Sequence, residues 1–215
     1  FVFISTDKAV NPTNVMGTSK LMGERLITAA NSNKRVKTIF ASTRFGNVLG
    51  SNGSVVPIFH NQIIKGGPIS LTDHAMTRFI MSIDDAVKLL IESAIKAKGG
   101  EVFITKMPVI RIIDLANAMI ELLAPKYGFK IDKIKIKKIG QKPGEKVYEE
   151  LMSNEEVRRA IELKKYFSIL PAFRGIYNKI DYDYNDILSL KVNKAYVSEK
   201  ETKLSLDEIK KILIK

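Results

Sequence analysis

Apolar and polar positions fall in blocks along the chain, and the period changes from block to block. Phe1-Val2-Phe3-Ile4 is an apolar run that ends in the polar cluster Ser5-Thr6-Asp7-Lys8. A buried parallel strand reads this way where its C-terminal end meets a functional loop. Asn11-Pro12-Thr13-Asn14 follows as a turn and capping cluster. The spacing of Leu21, Leu26, Ile27 and Ala30 then predicts a helix over residues 15–31. Residues 36–42 predict a second buried strand, and residues 44–54 a connector rich in Gly, Asn and Ser. A helix is expected over 55–65, stopped by Gly66-Gly67-Pro68, with short strands at 69–71 and 78–81. Ser82 caps a helix running to about residue 98, with Asp84 and Asp85 in its first turn.

Residues 101–104 read as another strand and 113–123 as an amphipathic helix. Lysine alternates with isoleucine over 133–139, the pattern of a half-exposed strand. Residues 141–145 turn into helical sequence, 166–203 read as loop with many tyrosines, and Ser205 caps a closing helix over 206–214. Strands alternating with helices predict an α/β fold. Open parallel sheets bind ligands beyond the C-terminal ends of their strands, where Ser5 to Lys8 and residues 44–52 would lie together on one rim.

Composition narrows the function classes. With 215 residues the chain can bury a real core. No run approaches the roughly 18 apolar residues of a membrane helix, so no membrane partner is expected for this chain. Zero cysteines exclude disulfide and thiolate chemistry and fit a cytoplasmic protein. The net charge of +12 comes largely from lysines alternating with apolar residues, a solvated face, and no zinc-finger or RNA-recognition spacing accompanies it. Nucleic acid is therefore not expected as a partner. His60 and His74 stand alone, without metal-ligand spacing.

Candidate chemistry gathers near the N-terminus. Thr6, Asp7 and Lys8 set a hydroxyl, a carboxylate and an ammonium at one strand end. An acid beside a base suits elimination of water. Lys20 lies one helical turn after Met16, on the same face.

The ordered segments Thr6-Asp7-Lys8-Ala9-Val10-Asn11-Pro12, Met16-Gly17-Thr18-Ser19-Lys20 and Arg44-Phe45-Gly46-Asn47-Val48-Leu49-Gly50-Ser51-Asn52-Gly53-Ser54 resemble a known pattern, as do Leu71 to Phe79 and Lys142-Pro143-Gly144-Glu145-Lys146. They are similar to the inverting UDP-N-acetylglucosamine 4,6-dehydratases, the polysaccharide biosynthesis branch of the extended short-chain dehydrogenase/reductases. The resemblance covers residues 1 to about 152 well. It implies the C-terminal part of a Rossmann-type parallel sheet, residues 1–66 and 82–106, plus a smaller α+β substrate-binding domain, 67–81 and 107–215.

The implied chemistry is C4 oxidation of the hexose, removal of the C5 proton by Lys8, loss of the C6 hydroxyl helped by Asp7, and hydride return to C6. Thr6 would bond the sugar near O4. Lys20 would hold the nicotinamide ribose of NAD or NADP, with Met16, Val48, Leu49, Gly50, Ser51 and Asn52 along the cofactor. Asn47, Thr72, Arg78, Lys142 and Glu145 would bind the UDP-sugar, with Arg78 gripping the diphosphate in a bidentate manner. Met16 departs from the usual acid/base tyrosine, because a thioether cannot take a proton. Lys142 replaces the usual arginine by a point charge.

No G-x-x-G-x-x-G cofactor loop occurs in the 215 residues. The chain alone is therefore expected to bind cofactor weakly and not to turn over, as part of a longer, homo-oligomeric parent. The alternatives are an epimerase or reductase of the same superfamily, or a non-catalytic assembly module.

Overall fold

A computed structural model describes residues 1–32, 37–51, 53–172 and 180–214. In chain order its elements are β1 (Val2–Thr6), α1 (Val15–Ala30), β2 (Ala41–Phe45), β3 (Asn47–Val48), α2 (Val55–Ile64), β4 (Ile69–Leu71), β5 (Thr77–Met81) and α3 (Ile83–Lys96). Then come β6 (Val102–Thr105), β7 (Val109–Arg111), α4 (Ile112–Leu123), β8 (Ile136–Lys138), β9 (Glu150–Met152) and α5 (Asn154–Val157). The chain ends with β10 (Ala160–Leu163), β11 (Tyr166–Ile169), β12 (Ile187–Ser189), β13 (Tyr196–Val197) and α6 (Leu206–Ile214).

These elements form two compact units: Phe1–Gly46, Met81–Met107 and Glu150–Val197 in the first, and Asn47–Ile80, Pro108–Glu149 and Ser198–Lys215 in the second.

The first unit is built on a six-stranded sheet in the order β1-β2-β6-β11-β10-β12. β1, β2 and β6 are parallel, as expected of a Rossmann-type α/β sheet, and β11, β10 and β12 extend it antiparallel. Register sets Phe3 beside Ser42 and Ser5 beside Arg44, all on one face. Helix α1 covers that face. Gly23 is what lets it approach, since a Cβ there would overlap the Phe3 ring. At the tip of β1 the chain turns through one 3₁₀ turn, Asp7–Ala9. Asn11, at φ 45°, and Asn14, whose Oδ1 accepts the Gly17 N–H at 2.8 Å, then launch α1.

The second unit has an apolar core that includes Phe59, Ile63, Leu115, Met119 and Ile209, drawn from α2, α4 and α6. Two small sheets flank it, β3-β5-β7 and β4-β8. No helix among the described residues is long and apolar enough to cross a membrane.

Five sequence expectations differ from the structure. The second strand lies at 41–45 rather than 36–42, because Arg44 belongs to it, fully buried with its charge neutralised by carboxylates. The stretch after 145 holds the strand β9, and the expected tyrosine loop contains β11, β12 and β13. Tyr166 and Tyr196 are buried there, and the Tyr196 hydroxyl donates to the Met107 carbonyl at 3.0 Å. Over 133–139 only Ile136–Lys138 is strand, paired in parallel with β4. The unit boundaries also differ from the expected domains: residues 150–197 pack with the parallel sheet, and residues 47–66 with α4.

Candidate functional site

In the first unit the tip of β1 forms a short polar network. Asp7 is buried, with a side-chain exposure of 0%. Its Oδ1 accepts from the Thr6 hydroxyl at 2.6 Å, from the Lys8 backbone N–H at 2.9 Å and from Lys8 Nζ at 3.0 Å. The Lys8 side chain is 36% exposed, so the acid is inside and its ammonium partner reaches out. Thr6, Asp7 and Lys8 are thus brought together, with Thr6 also capping the 3₁₀ turn.

Lys20 stands on α1 above the same strand: its Nζ donates to the Ile4 carbonyl at 3.0 Å and lies 5.0 Å from the Phe3 ring centre. Met16, one turn earlier, is 46% exposed. Gly17 sits where α1 meets the turn, and a Cβ there would overlap the Lys8 carbonyl oxygen. Gly17→Ala is therefore expected to displace the Asp7–Lys8 turn and to destabilise the parent protein by about 1–3 kcal/mol, the usual cost of overpacking. Thermal unfolding of the variant checks this, and a Tm equal to wild type would contradict it.

What fixes α1 over the sheet is a charged triad that the sequence reading did not single out. Glu24 on α1, Arg44 on β2 and Glu156 on α5 are all buried. Arg44 Nε and Nη2 donate to the Glu24 carboxylate at 2.8 and 2.7 Å, and Nη1 and Nη2 to that of Glu156 at 2.9 and 2.7 Å. Nη1 also donates to the Leu151 carbonyl at 2.8 Å, so all five guanidinium N–H groups are used.

Burial alone would push the Glu156 carboxyl up. The Arg44 charge and hydrogen bonds outweigh it and bring the group down from 4.5 to about 2. A depressed carboxyl gives stability that is complete above its unfolded value and is lost as pH falls toward its folded one. Acidification from about pH 4.5 to about pH 2 should therefore lower Tm more in wild type than in Glu156→Gln. Parallel acid titration curves for the two proteins would refute this.

The candidate binding residues of the second unit form a second cluster. Asn47 Nδ2 donates to the Phe79 carbonyl at 3.0 Å and to Glu149 Oε2 at 2.6 Å. Arg78 Nε lies 3.2 Å from Glu149 Oε1. Arg78 Nη1 donates to the carbonyls of Thr77 and Val147 at 2.8 and 3.1 Å, and Nη2 to that of Lys146 at 2.8 Å. One Nη2 proton remains, so the bidentate grip expected of Arg78 is not available in this conformation: backbone carbonyls hold the fork.

Glu145 closes its own turn by accepting from the Lys142 N–H at 3.3 Å, and Lys142 is exposed. Thr72 is half-buried beside Asp73, whose carboxyl is held low by Lys138 and the Ala75 N–H. Val48 is in β3 and Leu49 packs on the apolar core. Gly50, at φ 75°, makes the turn, and the Ser51 hydroxyl donates to the Val48 carbonyl at 2.9 Å. Asn52 lies outside the described residues. His60 Nε2 pairs with the Tyr127 hydroxyl at 2.9 Å, and His74 is exposed. Glu149 was missed by the sequence reading, and its only signal was a Glu149-Glu150 doublet at the entry to an apolar pair.

The family model described as "Polysaccharide biosynthesis protein" matches residues 1–171. An uncharacterized membrane protein of Methanocaldococcus jannaschii is 51% identical over 215 residues, covering 99% of this chain and 61% of that protein. A UDP-glucose 4-epimerase of Rickettsia bellii is 38% identical over 214 residues, 99% of this chain and 60% of that one. Among solved structures, Pen from Bacillus thuringiensis superposes with a TM-score of 0.86 at 42% identity, covering 99% of this chain and 61% of that one. DesIV, the dTDP-glucose 4,6-dehydratase of Streptomyces venezuelae with NAD and TYD bound, shares the fold over 68% of this chain and 49% of that one, at TM-score 0.55 and 18% identity. The chain thus spans about three fifths of the length of these relatives.

Proposed function

The chain belongs to the polysaccharide biosynthesis protein family, and from that premise we propose that its parent is an extended short-chain dehydrogenase/reductase, a nucleotide-sugar 4,6-dehydratase of the UDP-N-acetylglucosamine type. The observation that carries this is the buried carboxylate of Asp7, bonded at once to a hydroxyl and to a half-exposed amine at the end of a parallel strand. An oxidoreduction at C4 alone needs no such acid–amine pair, whereas loss of water does.

Lys20 gives one ammonium proton to Ile4 and keeps two, which fits the ribose diol at the nicotinamide end of NAD or NADP. When bound, the nicotinamide supplies the hydride acceptance at C4 and the return at C6 that bracket the elimination. Met16 cannot take the O4 proton. The Thr6 hydroxyl, already donating to Asp7, offers that proton a hydrogen-bonded route to the Asp7 carboxylate. Protonated Asp7 is then the acid for the C6 hydroxyl. Discharging Asp7 also removes one charge that holds the Lys8 ammonium, which eases passage of its proton to solvent. The free amine takes the proton from C5, acidified by the C4 ketone, and after water leaves C5 takes a proton of solvent origin as hydride returns to C6. Asn47, Thr72, Lys142 and Glu145 are assigned to the UDP-sugar, with Arg78 contributing its one remaining N–H.

The test is the parent protein incubated with UDP-N-acetylglucosamine in deuterated water. A 4-keto-6-deoxy product with deuterium at C5, seen by NMR, is the expected result. The likeness to a UDP-glucose 4-epimerase favours a second reading, simple inversion at C4. A C4 epimer that retains hydrogen at C5 would establish that reading in place of the first.

A further inference from the structure

Within the second unit Glu149 does more than pair with a cation. One of its carboxylate oxygens accepts from Asn47 Nδ2 at 2.6 Å and the other faces Arg78 Nε at 3.2 Å, with a side-chain exposure of 6%. Its position is fixed from behind: the Glu149 N–H donates to Ser198 Oγ at 2.9 Å, and Ser198 Oγ sits 2.8 Å from Thr77 Oγ1.

The second Asn47 amide proton goes to the Phe79 carbonyl at 3.0 Å, an oxygen fixed by β5. Turning the amide over would set its oxygen against a carbonyl and a carboxylate at once. The network therefore determines which end is nitrogen. With both N–H groups committed, the remaining polar capacity of Asn47 is the acceptor Oδ1.

We propose that Glu149 is a positioning residue that commits Asn47 to act only as a hydrogen-bond acceptor, so that this point of the binding cluster selects a ligand group that donates, a sugar hydroxyl or an amide N–H. The proposal rests on the assignment of Asn47 to the nucleotide sugar, and it adds the polarity of that contact and the residue that sets it. Loss of Glu149 frees one amide proton and lets the amide turn, so the ligand meets a mixture of donor and acceptor.

Two measurements on the parent protein test this. The first is side-chain amide exchange by ¹⁵N NMR, with the Asn47 signal identified by its loss in Asn47→Asp. The signal should be protected in wild type and should exchange fast in Glu149→Ala; Glu149→Gln has one acceptor for two donors, Asn47 Nδ2 and Arg78 Nε, and should fall between them.

The second is calorimetric affinity for UDP-N-acetylglucosamine alongside kcat. Glu149→Ala should weaken binding and raise KM by about tenfold or more, the effect of unmaking a buried hydrogen bond to a charged group. Its kcat should stay within about threefold, and Glu149→Gln, which keeps one acceptor of the two, should recover part of the affinity. An unprotected Asn47 amide in wild type overturns the proposal, as does unchanged affinity in Glu149→Ala. Absence of any nucleotide-sugar binding by wild type would instead remove the functional reading, and the amide exchange would still decide the orientation of Asn47.

Discussion

Arg44→Met should destabilise the first unit by about 3–5 kcal/mol, the cost of stranding buried charge when one member of an ion-pair network is removed. The size follows from the geometry. Arg44 is 1% exposed, and it is the cation between two carboxylates that are themselves 2% and 4% exposed. Taking it away leaves two buried carboxylates close together, with Arg159 3.8 Å from Glu156. Arg44→Lys should cost less, because the charge stays, yet a point ammonium cannot serve both carboxylates and the Leu151 carbonyl with five planar donors.

The informative comparison is the triple replacement of Arg44, Glu24 and Glu156 by apolar residues of similar volume. It should recover most of the loss, since the desolvation cost of all three charges disappears together. Recovery should remain incomplete by the value of one cap, because Glu156 also accepts the Ser153 N–H at 3.0 Å. Urea unfolding of the four proteins measures this. A single Arg44→Met variant as stable as wild type would show that the triad contributes nothing.

The triad also marks where sequence reasoning stops. β1 was legible because four apolar residues run into four polar ones, and α1 because its apolar spacing follows a capping asparagine. β2 was displaced in the reading because a fully buried arginine looks like loop to any argument from hydrophobicity. The partners that bury it lie 20 and 112 residues away in the chain. Residues 150–197 failed for a related reason: strands of two to four residues whose polar members are satisfied by distant groups carry no period long enough to read. Tyr166, for instance, packs in the sheet with its hydroxyl donating to Glu92 at 2.6 Å, and burial, then that bond, push the phenol's pKa up.

Within the candidate site, Thr6, Asp7 and Lys8 could be found because chain neighbours at a strand tip are spatial neighbours. Glu149 could not, because its role exists only through Asn47, 102 residues before it. The fork of Arg78 was misread for the same reason, since the carbonyls that occupy it come from Thr77, Lys146 and Val147.

Asp7→Asn is expected to lower kcat of the parent protein by about 10²–10⁴-fold, the range for loss of a positioned acid/base group. KM should change little, because the side chain is buried and the replacement keeps its shape. The stage at which turnover stops is more telling than the size of the loss. An amide cannot take the O4 proton passed by Thr6, nor give one to the C6 hydroxyl, so both oxidation and elimination should suffer. Lys8→Gln leaves that carboxylate in place and removes only the amine. Oxidation at C4 should then proceed once and stall, with reduced nicotinamide accumulating in a single turnover and no solvent deuterium entering C5.

The two variants thus separate the jobs assigned to the two halves of one 3.0 Å contact. If Asp7→Asn oxidised C4 at the wild-type rate and failed only in losing water, the O4 proton would be leaving by another path and the Thr6 relay would be wrong. If Lys8→Gln still exchanged C5 with solvent, the base would have to be sought elsewhere. In the first case Asp7 would still be the acid for the C6 hydroxyl but would need its proton from a source other than O4; in the second its role would be untouched.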